Sequence, residues 1–316
     1  MTLHRLIAQY VAFWKGLGSK FEANETVLNT FCRAVGKDRD IGSLRVRQVT
    51  TFLDGHGPVT RHWHRKYNVL RRFFAYAQSR GYIRVSPLPK TVPKLPERFK
   101  PYIYSREDLR RLLKGTGPAQ STRFQMDACT FRALLLLLYG AGLRISEALS
   151  LTLDDVDLQQ AVITVRDTKF YKTRVVPLGK ELNAVMTEHA RRRKGAGRRP
   201  LNGDAPFFTT ALGTRLGRRL VERNFQRLRT LAGVHRKDGA RYQPRLHDLR
   251  HTAAVHRLTA WYRAGKDVQR LLPLLSTYLG HSSIVCTQIY LTVTPEVLRE
   301  SNKRFARYVF GEAGHD

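Results

Sequence analysis

The sequence predicts a mainly α-helical chain in two domains, with a small β-hairpin in the second. Three observations carry this. The stretch "PLPKTVPKLPERFKP" (87–101) holds five prolines and cannot continue a helix. Apolar residues before it recur at helical spacing. After it, helical patterns surround one pair of β-branched runs with a polar tip between them.

Residues 1–86 read as a helical domain. In "TRHWHRKYNVLRRFFAYAQSRGYI" (60–83), Trp63, Tyr67, Leu70, Phe74 and Ala77 share one helical face and Gly81 supplies a stop. Arg61, Arg65, Lys66, Arg71 and Arg72 fall between them, a density suited to phosphate contacts. The stretch 87–101 reads as an extended, semi-rigid linker.

Residues 102–316 read as a second, mixed domain. "SREDLRRLLKG" opens with a serine cap followed by acidic residues, a good helix start. A long apolar helix is expected over about 125–141, then a short one after Gly142. "AVITVRDTKFYKTRVVPLG" (161–179) reads as a hairpin whose basic tip offers Lys169 and Lys172. Helices are expected again from 179, interrupted at "RRRKGAGRRP" (191–200), where six basic residues around two glycines suggest a loop. "PEVLRESNKRFARYVF" (295–310) reads as a last helix with Leu298, Phe305 and Val309 on one stripe. That stripe must be buried on its own domain or on a neighbouring subunit.

Charge narrows the function. The chain of 316 residues carries 56 Lys and Arg against 25 Asp and Glu, a formal charge of +31. Residues 1–100 hold 19 basic and 6 acidic side chains, a surplus of 13, which leaves 18 for the rest. Both parts are therefore basic, and a polyanion touching both, nucleic acid above all, is the economical partner. The three cysteines (Cys32, Cys129, Cys286) form no C-x-x-C pair, which suits a reducing compartment. The start "MTLHRLIAQYVAFWKG" has charges among its apolar residues, unlike a secretory signal. The longest apolar run, "ALLLLLYGAGL" (133–143), is too short to cross a bilayer. A cytoplasmic protein is the expectation. With no phosphate-cradling Gly-rich loop, nothing suggests ATP use.

The chemistry concentrates in "RLHDLRHTAA" (245–254). On a helix His247, Arg250 and His251 stand at i, i+3 and i+4 and share one face. HDLRH differs by one residue from the HExxH zinc signature. However, Asp248 is a methylene shorter than the glutamate base of that chemistry, and Arg250 would set a permanent cation beside the metal. A basic patch and a phosphate-binding half-site remain.

Three further segments join it. "YGAGLRISEALSLT" (139–152) places Arg144 and Glu147 past a glycine turn, and the hairpin offers Lys169 or Lys172. "YLGHSSIVCTQIYL" (278–291) places His281 after a Leu-Gly helix stop and Tyr290 nine residues later. In this order the segments resemble the tyrosine recombinase (phage integrase) family over nearly the whole chain. The resemblance implies an N-terminal helical core-binding (SAM-like) domain at 1–86, the linker at 87–101 and an α+β catalytic domain at 102–316. Between Arg250 and His281 the chain is longer than the family's usual connection, so the packing near Trp261 and Pro273 is expected to depart from the family's.

The resemblance implies Arg144, Lys169, His247, Arg250, His281 and Tyr290 as catalytic residues, with Glu147 bracing the basic cluster from behind. Their chemistry fits phosphoryl transfer. Two always-charged, planar guanidiniums, Arg144 and Arg250, suit the negative charge that gathers on a phosphodiester as it is displaced. Tyr290 would attack, losing a proton from a phenol whose ordinary pKa is about 10. Lys169 would protonate the departing 5′-oxygen, with Lys172 as the other candidate. His247 and His281 would complete the cradle, His247 also handling the tyrosine proton. His251 reads as a packed histidine, and Tyr278 and Tyr308 lack the spacing from His281. No metal, ATP or other cofactor is required.

The implied activity is a site-specific DNA recombinase or integrase acting through a 3′-phosphotyrosyl intermediate. It would clamp double-stranded DNA, as a monomer or dimer off DNA and a homo-tetramer on two paired sites. Integration, excision, transposition of a mobile element and dimer resolution all fit. The rivals are a type IB topoisomerase, which would relax plasmids without a preferred site, and a catalytically silent DNA-binding accessory protein, which would not need Tyr290.

Overall fold

A computed structural model of the chain describes residues 1–96, 100–117, 126–166, 173–195, 202–240, 242–281, 283–293 and 295–310. It divides into two compact units, Met1–Phe99 and Lys100–Asp316.

The first unit is built from α1 (Leu3–Gly16), α2 (Glu22–Val35), α3 (Val46–Asp54) and α4 (Arg61–Ser79). The apolar spacing of α4 does what it predicts: Trp63, Leu70, Phe74 and Ala77 are buried, and Tyr67 stacks on Trp63 with ring centres 5.4 Å apart. They join Leu6, Tyr10, Phe31 and Phe73 in one aromatic-rich core. Of the basic residues between them, Arg61, Arg65, Arg71 and Arg72 are exposed.

Lys66 departs from the expectation. Its Nζ donates to the carbonyls of Phe52 and Leu53 and lies 4.7 Å from the centre of the Phe52 ring. Orphan carbonyls at the C-terminus of α3 attract a cation. The ammonium is thus spent on the fold, and burial lowers its pKa.

The second unit begins with α5 (Arg106–Lys114), where the Ser105 hydroxyl accepts from the Asp108 amide at 3.0 Å. The apolar helix is α6 (Ala128–Gly140), started by the Asp127 side chain on the Thr130 amide at 2.8 Å. Gly142 then turns the chain at φ +61° into α7 (Ile145–Ser150). The hairpin pairs β2 (Val162–Val165) with β3 (Arg174–Pro177), in the register Val162 to Pro177 and Val165 to Arg174. A two-residue strand, β1 (Val156–Asp157), adds an antiparallel edge, giving the order β1-β2-β3. The tip, with Lys169 and Lys172, lies outside the described residues.

The loop expected at 191–200 is a helix in its first half, because α8 runs from Lys180 to Gly195. Glu188 pairs with Arg191 at 2.8 Å and Arg192 at 2.7 Å, one turn ahead. Such pairs, with the helix propensity of arginine, carry the helix into the basic run. The long connection after Arg250 is likewise ordered. It is the rest of α10 (Asp248–Arg263), a turn at Gly265 (φ +65°), and α11 (Val268–Leu279), which accommodates Pro273 within it.

The unit is completed by α9 (Arg218–Leu231), α12 (Val285–Val293) and α13 (Pro295–Phe310). α6 forms the centre of the larger core with Phe131, Leu134 and Leu137, while Val255, Leu258, Leu275 and Tyr290 form a smaller one. α13 lies against α10 of the same chain, with Glu300 at 3.2 Å from Arg263. Leu298 and Phe305 nevertheless stay exposed.

Candidate active site

The site is organised by the C-terminal end of α11. A helix ends with unpaired carbonyls and a partial negative charge, a natural seat for cations. Here three successive carbonyls take three guanidiniums. Tyr278 O accepts from Arg174 Nε at 3.1 Å, Leu279 O from Arg250 Nη2, and Gly280 O from Arg144 Nη2 at 2.8 Å. Gly280 ends the helix at φ +66°, in the left-handed region that glycine favours. A Cβ there would also stand 2.5 Å from Arg174 Nη1.

Glu147 ties the same arginines together from the other side. It closes a capping box on α7 by accepting from the Arg144 amide at 2.9 Å. Its carboxylate also accepts from Arg144 Nη1 at 2.6 Å and from Arg174 at 3.1 and 2.8 Å, and lies 4.0 Å from Arg250 Nη1. Burial works to raise this carboxyl, but the Arg174 and Arg144 hydrogen bonds and the Arg174 charge outweigh it and hold the pKa at about 2. Arg250, only 2% exposed, also donates to Gly142 O at 2.6 Å. Burial, helped by the Arg144 charge, lowers its pKa to about 10.

The nucleophile candidate stands beside these charges. Tyr290, on α12, is 3% exposed. Burial raises its pKa against the opposing pull of Arg250 and Arg144. Its ring lies face-on to His281, with centres 6.1 Å apart, and His281 Nδ1 is held by Thr287 Oγ1 at 2.7 Å. Its hydroxyl is 3.0 Å from Nδ1 of His251, whose ring meets His247 edge-on at 4.7 Å. All three imidazoles are held neutral at pH 7. Burial comes first in each case, then neighbouring cationic or imidazole groups, giving about 4 for His247 and His251 and about 3 for His281.

Arg144, Glu147, His247, Arg250, His281 and Tyr290 therefore come together, while Lys169 and Lys172 lie outside the described residues. The histidine at hydrogen-bond distance from the Tyr290 hydroxyl is His251, one turn along α10 from His247.

Arg174 was not anticipated either. Strand alternation was the available signal: in "RVVP" Arg174 shares a face with Val176, which is buried. Among the described residues, no group of three or more His, Cys, Asp or Glu side chains is placed to share a metal ion. No described helix is long and apolar enough to cross a membrane.

Beside the cluster lies an open cleft of about 1010 Å³. Its lining includes Arg144 and His247 together with Arg218, Arg223, Arg227 and Arg245, with Glu222 as the carboxylate among them.

Residues 106–296 match the family model described as the phage integrase family. The chain belongs to that family, the tyrosine recombinases. Members cleave and rejoin DNA strands, so this recombinase is a DNA-binding strand transferase of site-specific recombination. It is 34% identical over 310 residues to the putative integrase/recombinase y4rB of Sinorhizobium fredii, covering 97% of this chain and 98% of that one. Identity to the tyrosine recombinase XerC of Thermodesulfovibrio yellowstonii is 32%, over 72% of this chain and 70% of that one.

Among solved structures, the Tn1549 transposon integrase in complex with a circular intermediate DNA superposes with a TM-score of 0.69 at 20% identity, covering 97% of the recombinase and 100% of that chain. A lambda integrase dimer bound to a core site gives 0.63 at 16%, over 90% and 96%. At these identities the superpositions speak for the fold.

Proposed function

We propose that this recombinase breaks a DNA strand by attack of Tyr290 on the scissile phosphate, leaving a 3′-phosphotyrosyl bond and a free 5′-hydroxyl. One observation carries the reading: a buried tyrosine hydroxyl beside the charges of Arg144 and Arg250, with His251 and His281 against it and His247 behind His251. The two guanidiniums would hold the non-bridging oxygens, already oriented by Glu147 and the end of α11, so little reorganisation is left for the reaction. His281 would add a donor from the nitrogen that Thr287 leaves free, and His247 would border the phosphate from the cleft. Lys169, or Lys172 in its place, would protonate the 5′-oxygen. The covalent ester conserves the energy of the broken bond, so rejoining needs neither ATP nor metal.

The basic cleft and the exposed Arg61, Arg65, Arg71 and Arg72 would carry the duplex backbone. Each unit then contributes phosphate contacts, and 87–101 links them. Two duplexes would be paired by a homo-tetramer, with the exposed Leu298 and Phe305 of α13 meeting a neighbour. Phe305→Ser should then bind a single site normally and lose strand exchange. The biological outcome would be integration, excision or transposition of a mobile element, or dimer resolution, in the cytoplasm.

A nicked duplex that loses its 5′ fragment after cleavage tests the chemistry. The wild type should be trapped as a covalent adduct, with a chelator present in excess. Tyr290→Phe should bind equally and give none. An adduct with Tyr290→Phe places the nucleophile elsewhere, and activity lost to a chelator and restored by a metal ends the metal-free reading. Plasmid relaxation without a preferred site would favour a topoisomerase instead.

A further inference from the structure

We propose that His251 is the group that takes the phenol proton of Tyr290 during strand cleavage. This rests on the reading of Tyr290 as the nucleophile and adds the destination of its proton. His251 Nδ1 stands 3.0 Å from the Tyr290 hydroxyl across 39 residues of sequence, a distance at which a proton passes directly.

The other two histidines are disposed differently. His281 commits its Nδ1 to Thr287 at 2.7 Å and lies face-on to the phenol, its ring plane 29° from that of Tyr290. His247 meets the ring of His251 edge-on at 4.7 Å. It also lines the cleft together with Arg144.

Helix geometry divides the labour on α10. Neighbouring residues on a helix point about 100° apart. Arg250 accordingly turns to Gly142 and the end of α11, while His251 turns to α12 and Tyr290. One helical turn thus holds both the phosphate clamp and the proton acceptor. Burial, then the charges of Arg245 and Arg250, keeps the His251 imidazole neutral. In the tautomer with its ring proton on Nε2, the Nδ1 that faces Tyr290 accepts the hydrogen bond of the phenol. A phosphodiester anion between Arg144 and Arg250 would offset those charges and make the ring more basic as the substrate docks.

The step balances. The electron pair of the Tyr290 O–H bond stays on the oxygen and forms the bond to phosphorus, while the proton goes to His251 Nδ1 and makes an imidazolium. The bond from phosphorus to the 5′-oxygen breaks with its pair on that oxygen, which takes its proton from the lysine of the hairpin. Rejoining runs the same transfers backwards, and the imidazolium returns the proton to Tyr290.

The test uses the full-length protein on the nicked duplex, with His251→Ala and His251→Asn. Asparagine sets an amide acceptor where Nδ1 stood, keeping a hydrogen bond without basicity. Both variants should bind DNA as the wild type does and form adduct about 10²-fold more slowly or worse. The deficit should persist on a duplex whose 5′-oxygen is replaced by sulfur, because a thiolate leaves without an acid. Free imidazole should restore part of the rate to His251→Ala.

Wild-type rates in either variant overturn the proposal: alanine would show that the contact is idle, asparagine that it only positions the tyrosine. A rate restored by sulfur also overturns it, since His251 would then serve the leaving group. If the alanine variant fails to fold, the asparagine variant decides alone. Tyr290→Phe, run alongside, reports separately on the nucleophile itself.

Discussion

The two units of this recombinase bury different things. In Met1–Phe99 the core is apolar and aromatic, and no histidine of the unit is buried. In Lys100–Asp316 the interior near the site takes in Glu147, Asp248 and Arg250, with Arg174 close to buried. Removing an ion from water costs several kcal/mol, offset only when every partner is in place. The first unit is stabilised by burying carbon, the second spends part of that gain on fixed charge. A surface for holding DNA needs only exposed cations, whereas a site for phosphoryl transfer needs oriented ones.

The largest break in this contrast should come from Glu147→Ala. It leaves Arg144, Arg174 and Arg250 facing one another without their anion, at a cost of about 3–5 kcal/mol. Hydrogen exchange should show lost protection at 142–150 and 274–281 with α1 to α4 unchanged, and adduct formation should fall at least about 10²-fold. Uniform loss across both units would mean that the charge cluster is not a local matter.

Acid should separate the units next. His247, His251 and His281 are buried neutral, with pKa values of about 4, 4 and 3 against an ordinary 6.5. Protonation then favours the unfolded chain, so their contribution is intact above about 6.5 and is lost as pH falls towards 4. Glu147, held at about 2, keeps its contribution above about 4.5 and loses it below. Urea unfolding followed by exchange at pH 7 and pH 5 should show the catalytic unit weakening and the N-terminal unit holding. Equal weakening would sink the assignment.

Gly280→Ala is a smaller perturbation with a specific signature. The left-handed conformation costs about 1–2 kcal/mol for alanine, and the new Cβ meets the Arg174 guanidinium. Stability should drop by that order, and Arg174→Ala should relieve part of it. Additive costs in the double variant would show that the two do not meet.

The smallest effects lie on the N-terminal surface. Arg72→Ala should leave stability within about 0.5 kcal/mol and lower the slope of log affinity against log salt by about 1. Lys66→Ala should do the reverse, costing about 1–2 kcal/mol of stability and leaving the slope alone, because its ammonium caps α3.

Local signals were legible wherever one residue type has one use. The serine cap of α5, the glycine stop of α11 and the apolar stripe of α4 all stand where the sequence puts them. The seat of Lys66 on α3 is not legible, because composition counts a charge without showing how near α3 ends. The helix through 191–195 is not legible in the basic run itself, because Glu188, which pairs with Arg191 and Arg192, lies outside it. β1 has two residues, too few for any period. The motif residues of the site follow from the resemblance to the family. That His251 rather than His247 faces Tyr290 depends on how α12 crosses α10, a tertiary fact with no local trace.

The three oxygens at 278–280 belong to the main chain. Replacing the side chains of Tyr278 or Leu279 leaves those acceptors in place, so the guanidinium seats can outlast drift at both positions. What the seats depend on is the path of the backbone, which turns at Gly280, where there is no side chain to vary. A site whose cations look conspicuous is thus inherited through the residue with the least to show.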